Sequence, residues 1–246
     1  MNRPVTVICA LLALFVGAGA HAADKWVEGK SYIVVSPPQH TSVPPGKVEV
    51  AEIFSYGCPY CSQIYPIVEK LKAALPANAQ MVYVPASFLP REAWPMYQRA
   101  YYANQALGIN EKMHKAMFDA VWRTGELAYS DPTTNRMKSR LPTIEDAASY
   151  VAKTAGVKEE TFLAAAKSFG VEVKMKNADS FVTGTQSLST PTFVVAGKYR
   201  LNAETAGSYD NVIELVKYLV AKETPGAKVT ETSAAKPATV AKPATK

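Results

Sequence analysis

The sequence predicts an α/β protein whose β-sheet is interrupted by a block of helices, and three observations predict it. An apolar run from Val48 to Phe54 gives way to Ile64, Ile67, Val68, Leu71 and Leu75, spaced by three and four, so a buried strand feeds a helix. Between Pro90 and about Thr185 successive helical patterns follow one another with no strand among them. Strand character returns only at Thr192 to Val195 and Tyr199 to Leu201, around Ala196-Gly197-Lys198, a turn short enough for a hairpin.

The chain begins with a segment that does not belong to the fold. In residues 1–22, Arg3 supplies a positive start, Val5 to Ala18 an apolar stretch too short to span a bilayer, and Ala20-His21-Ala22 a small-x-small cleavage site, the pattern of a secretory signal. Cys9 follows Ile8, where a lipoprotein signal needs a small residue, so it is expected to be removed with the signal. Two cysteines then remain in an exported chain, both within Cys58-Pro59-Tyr60-Cys61. An exported chain with so few cysteines is held by its core and not by disulfide staples.

Of 246 residues, roughly 200 belong to the body, enough for one large domain or a domain with an insertion. Without Arg3 the charges are 26 basic against 21 acidic. Five lysines and two glutamates of these lie from Lys222 onward, leaving the body near neutrality, which argues against a nucleic-acid face.

Residues 26–45 are polar and proline-rich apart from Tyr32-Ile33-Val34-Val35, read as an edge strand closed by Pro37-Pro38. After the turn at Val43 to Gly46 comes the central strand, which carries Glu52 among apolar neighbours. That carboxylate either sits at a strand end in water or is buried, in which case its pKa rises and it can carry protons. The following helix contains Pro66, expected to kink it. Met81 to Val84 reads as a second strand, parallel to the first.

The helical block reads as Trp94 to Leu107, Asn110 to Arg123, Thr143 to Ala155 with the capping pattern Thr143-x-x-Asp146, Lys158 to Phe169 ended by Gly170, and a last helix through Val171 to Val182. Its Trp94, Tyr101, Tyr102, Phe118, Trp122 and Phe162 are expected in the core, and His114 on a helix face. A closing helix runs from Tyr209 to about Ala221. The repeated Ala-Lys-Pro-Ala-Thr of the tail has too little apolar surface to offset its ordering entropy and is expected to be disordered.

Cys58 and Cys61 sit where strand hands over to helix. Pro59 suits the first helical position, which leaves Cys58 at the N-cap and Cys61 one turn inside. Unpaired N–H groups and the helix dipole favour a Cys58 thiolate, with Cys61 as the resolving thiol behind it. A zinc site is the weaker reading of the same motif. Zinc takes about four ligands, and the chain has no second C-x-x-C and no histidine at ligand spacing. No metal and no cofactor are expected. A purely structural disulfide across so short a span closes almost no chain entropy.

The strand, Phe-x-x-x-Cys-Pro-x-Cys, the helical insertion and Thr190-Pro191 opening a late hairpin resemble the thioredoxin superfamily. Within it, the export signal, the size of the insertion and the block from Glu52 to Cys61 are similar to the DsbA family of periplasmic thiol:disulfide oxidoreductases. The resemblance spans roughly residues 30–221. It implies an α/β thioredoxin fold with an inserted helical domain: residues 23–90 as its first part, 91–185 as the insertion, 186–222 as its second part, and 223–246 as a tail. It also implies Cys58 as nucleophile, Cys61 as resolving thiol, Glu52 as a buried acid beneath the site, and Pro191 as a cis-proline packed against the cysteines.

Substrate contact falls to Pro59, Tyr60, Thr190 and Pro191. The activity implied is oxidation of thiols in unfolded or newly exported polypeptides by a periplasmic monomer, reoxidised by a membrane oxidant resembling DsbB. A reductase or isomerase of the same fold, or a peptide-binding chaperone with an incidental disulfide, are the rival readings. The chain departs from the DsbA pattern at Tyr60, where the family commonly has histidine, and at Thr190, where it usually has valine.

Overall fold

The computed structural model describes residues 25–131 and 133–225; the expected signal and nearly all of the expected tail lie outside them. The central strand β2 (Val48–Phe54) is followed by α1 (Pro59–Ala74) and by β3 (Ala79–Pro85), which pairs with β2 in parallel. β1 (Ile33–Val34), β4 (Thr192–Val195) and β5 (Tyr199–Leu201) complete a five-stranded sheet in the order β1-β5-β4-β2-β3, with β4 antiparallel to β2. The motif strand is thus flanked on both sides, and all seven of its residues are buried.

Five helices separate β3 from β4: α2 (Trp94–Ala106), α3 (Asn110–Trp122), α4 (Ile144–Ala155), α5 (Glu159–Ala166) and α6 (Phe169–Gly184). Two more, α7 (Ala203–Ala206) and α8 (Tyr209–Lys222), follow the hairpin. One core joins Val48 and Val50 to Ile64, Val68 and Leu71 of α1 and to Leu215, Val216 and Leu219 of α8. The larger core starts at Phe54 and Tyr56 and runs through Tyr97, Tyr101, Met113, Met117, Val151 and Phe162. The residues that carry the motif therefore lie where the two cores meet.

Local signals set most of the boundaries. α4 opens with a reciprocal capping box between Thr143 and Asp146 and closes on Gly156 in the left-handed conformation (φ 75°). α1 runs through Pro66. The hairpin turns at Ala196 and Gly197, both at positive φ (53° and 64°).

One expectation is corrected. The helix expected to end at Gly170 ends at Ala166, because Ser168 accepts from the Val171 N–H and caps α6, putting Gly170 in the first turn of the next helix. His114 lies on a face of α3, and that face is buried against Phe54 of the motif strand, leaving His114 6% exposed. Of the aromatics expected in the core, Trp94, Tyr101, Tyr102, Phe118 and Phe162 are buried, and Trp122 is partly so. Glu223, at the start of the expected tail, is bonded to Lys198 and Tyr199 of the hairpin.

Candidate active site

Cys58 is the N-cap of α1. Its backbone is extended (φ −88°, ψ 118°), its sulfur accepts from the Cys61 N–H at 3.3 Å, and Pro59 fills the first helical position, where its missing N–H leaves no gap. The Cys58 N–H is itself fixed by the Ser55 carbonyl at 3.0 Å. Both cysteines are buried thiols, Cys58 3% and Cys61 1% exposed. Pro59 and Tyr60 project outward, Tyr60 with 61% of its surface open.

The second half of the site arrives from 132 residues away. The Thr190–Pro191 bond is cis, and the Thr190 carbonyl lies 3.4 Å from the Cys58 sulfur. The ladder between β2 and β4 reaches only as far as Ile53 and Thr192, so the Thr190 backbone stands beyond it next to the reactive sulfur. Leu188, two residues before Thr190 in the chain, is 90% exposed.

The two thiols are pushed in opposite directions. A hydrogen bond from the Cys61 thiol does most to bring Cys58 down to about 7; burial opposes it, and Thr190 and the N–H groups of Cys61 and Tyr60 add to the lowering. Burial first, and then the Cys58 sulfur, raise Cys61 well above a normal thiol. One thiol is thus ready as thiolate at neutral pH while its partner holds a proton.

Glu52 is 3% exposed, which settles the choice between strand end and interior. Burial, then the Cys58 sulfur, then Glu69 push its carboxyl up to about 8, so it is a neutral acid at pH 7. The Cys58 sulfur is among the groups that raise Glu52, and Glu52 among those that raise Cys61.

Several residues of this neighbourhood have no signal in the local sequence. Trp122 donates from its ring N–H to the Tyr56 carbonyl at 2.8 Å, and the Tyr56 hydroxyl pairs with His114 Nδ1 at 3.0 Å, so α3 braces the loop that carries the motif. Trp94 covers Gly57 and meets Phe88 at 4.9 Å between rings. A Cβ at Gly57 would fall 2.6 Å from Trp94 Nε1. Gly57→Ala is therefore expected to displace Trp94, a buried ring with no room to yield, and to destabilise the protein by about 1–3 kcal/mol in urea unfolding, with a changed tryptophan emission.

A family model described as Thioredoxin matches residues 43–215. The thiol:disulfide interchange protein DsbA of Pseudomonas aeruginosa is 32% identical over 227 residues, covering 92% of this chain and 99% of the relative. DsbA of Azotobacter vinelandii is 32% identical, covering 79% of this chain and 83% of its own length. Among solved structures, Pseudomonas aeruginosa DsbA superposes with a TM-score of 0.71 at 32% identity, covering 84% of this chain and 99% of that one. DsbA from Xylella fastidiosa gives 0.70 at 26% identity, covering 81% and 98%.

Proposed function

Since the chain belongs to the DsbA family of thiol:disulfide interchange proteins, with the thioredoxin fold and its helical insertion, we propose that Cys58 and Cys61 are the pair through which it oxidises other polypeptides. In the oxidised enzyme a substrate thiolate attacks the Cys58 sulfur. The bond between Cys58 and Cys61 breaks, its electron pair leaves on Cys61, and Glu52 gives that sulfur a proton. A second substrate thiolate then attacks the substrate sulfur of the mixed disulfide. Cys58 departs as thiolate, and two electrons have passed from substrate to enzyme.

The Thr190 backbone, which stands beyond the β2–β4 ladder, supports an extended polypeptide as substrate, because main-chain hydrogen bonding tolerates many sequences. The exposed Tyr60 ring, the Pro59 surface and Leu188 beside Pro191 suit the apolar side chains of unfolded clients. The apolar leader in residues 1–22 supports a periplasmic location, where thiol oxidation is sustained. We place the enzyme there as a monomer, its dithiol returned to the disulfide by a membrane oxidant resembling DsbB.

The observation that carries the oxidising direction is the Cys58 sulfur at the α1 N-terminus, held as thiolate near neutrality. Whatever stabilises that thiolate stabilises the reduced enzyme and makes its disulfide a stronger oxidant. Thiolate absorbance against pH should give a Cys58 pKa near 7, and equilibration with glutathione a potential above thioredoxin's, which is about −270 mV. A free-thiol pKa of about 8.5 together with a thioredoxin-like potential would make the protein a reductase.

A further inference from the structure

Glu52 has a problem that its burial creates. In the cycle above it gives up a proton when Cys61 leaves; Cys61 can return that proton on reoxidation, but any exchange with solvent while the enzyme is reduced has to cross a site in which Glu52 is 3% exposed. Two chains of polar groups near the motif strand are the routes to weigh.

The first runs through Tyr56 and His114. It ends inside the protein, because Tyr56 and His114, which pair with each other, are both buried. The second runs through Tyr83. Tyr83 is the β3 residue paired with Glu52 across the parallel ladder, so the two side chains stand side by side on the same face of the sheet. The Tyr83 ring is wedged against His114 (4.4 Å between centroids) and Phe54 (6.0 Å). Its hydroxyl donates to Glu69 Oε1 at 3.1 Å. Glu69 lies on α1 and is only partly buried, so its carboxylate meets solvent. Burial, Glu52 and Glu69 all push the Tyr83 phenol up, so Tyr83 stays protonated and can pass a proton only by taking one up as it releases its own.

We propose that the Tyr83 hydroxyl and the Glu69 carboxylate carry protons between Glu52 and solvent as Cys61 leaves and is reactivated. After Glu52 has protonated the Cys61 sulfur, water protonates Glu69, Glu69 passes its proton to the Tyr83 oxygen, and Tyr83 releases its own to the Glu52 carboxylate. Each O–H bond broken is matched by one formed, one proton moves inward, and no electrons are transferred. Reactivation of Cys61 runs the same sequence outward. The inference rests on the proton-donor role of Glu52 proposed above.

The test is multiple-turnover oxidation of a reduced dithiol peptide with glutathione disulfide as the terminal oxidant, compared in light and heavy water, for Tyr83→Phe, Glu69→Gln and Glu52→Gln. Tyr83→Phe keeps the ring and loses only the hydroxyl. It is expected to slow the reaction roughly tenfold, less than the roughly 100-fold or more that a positioned acid itself contributes. A larger solvent isotope effect, partial rescue by added imidazole, and an unchanged reduction potential should accompany the slowing. Glu69→Gln should slow the reaction and respond to imidazole in the same way. If Glu52→Gln is slow while Tyr83→Phe runs at the wild-type rate, the route is wrong and Glu52 keeps its role. If Glu52→Gln is itself as fast as wild type, the proton-donor reading fails and the route with it. A slow Tyr83→Phe with an unaltered isotope effect and no rescue assigns Tyr83 to packing alone and overturns the route.

Discussion

Cys58→Ser is expected to abolish thiol oxidation while leaving the fold intact. The substrate sulfur bonds to Cys58, and Cys61, 1% exposed, cannot stand in for it. Loss of a nucleophile on which the whole sequence of steps depends should lower the rate of oxidation of a reduced dithiol peptide by at least about 10³-fold. Stability should change by no more than about 1 kcal/mol, because serine is a preferred N-cap and its hydroxyl can accept from the Cys61 N–H as the sulfur does. Wild-type oxidation by this variant would sink the enzyme reading and leave a peptide-binding protein with an incidental disulfide.

The second large effect is on stability against pH, and two buried groups set it in opposite senses. His114 titrates at about 3 in the fold and near 6.5 when unfolded. The unfolded chain therefore binds one more proton between these values, so the stabilisation is fully present above about 6.5 and is lost as pH falls toward 3. It amounts to something on the order of 5 kcal/mol at 1.36 kcal/mol for each pH unit. Glu52 has its folded pKa raised from 4.5 to about 8. Its contribution is present below 4.5 and disappears as pH rises through 8.

The two slopes cancel between about 4.5 and 6.5, so urea unfolding of the reduced protein at a series of pH values should show a plateau there, with a loss on the acid side and, on the alkaline side, a loss that Cys58, lowered from 9.0 to about 7, offsets above about 7. His114→Gln should flatten the acid side, and Glu52→Gln the alkaline side. An acid limb unchanged in His114→Gln would mean that the imidazole is not the group that fails.

Much of the site was readable from the sequence because it is local. Strand, cap, proline and helix lie within a few residues of one another, and Cys58, Pro59 and Cys61 take their positions from that order alone. The strands of the hairpin and the capping box of α4 are equally local. Pro191 beside Cys58 came only from the resemblance, since nothing in residues 52–61 points to a segment so far along the chain. Glu52 was recognised but not placed; its burial depends on β3 and β4 flanking β2. The Tyr83 and Glu69 pair was missed for the same reason, a cross-strand register and a helix packed over it being invisible to spacing. Gly170 misled because a glycine after a helical pattern reads as a stop, whereas Ser168 had already capped the next helix.

The distance in sequence between Cys58 and Thr190 has a consequence for how the enzyme comes into being. During synthesis the motif and α1 emerge early, and the segment that completes the site follows only after α2 to α6. Until β4 pairs with β2, Cys58 has no Thr190 carbonyl beside it, and Glu52 lies on a strand open along one side. Closing that loop orders a long intervening segment, whose helices share their core with β2 and the motif. A chain cut short anywhere between Cys61 and Thr190 would contain the whole motif and yet lack the Thr190 half of the site, so the pair is expected to become an oxidant only when its own fold is complete.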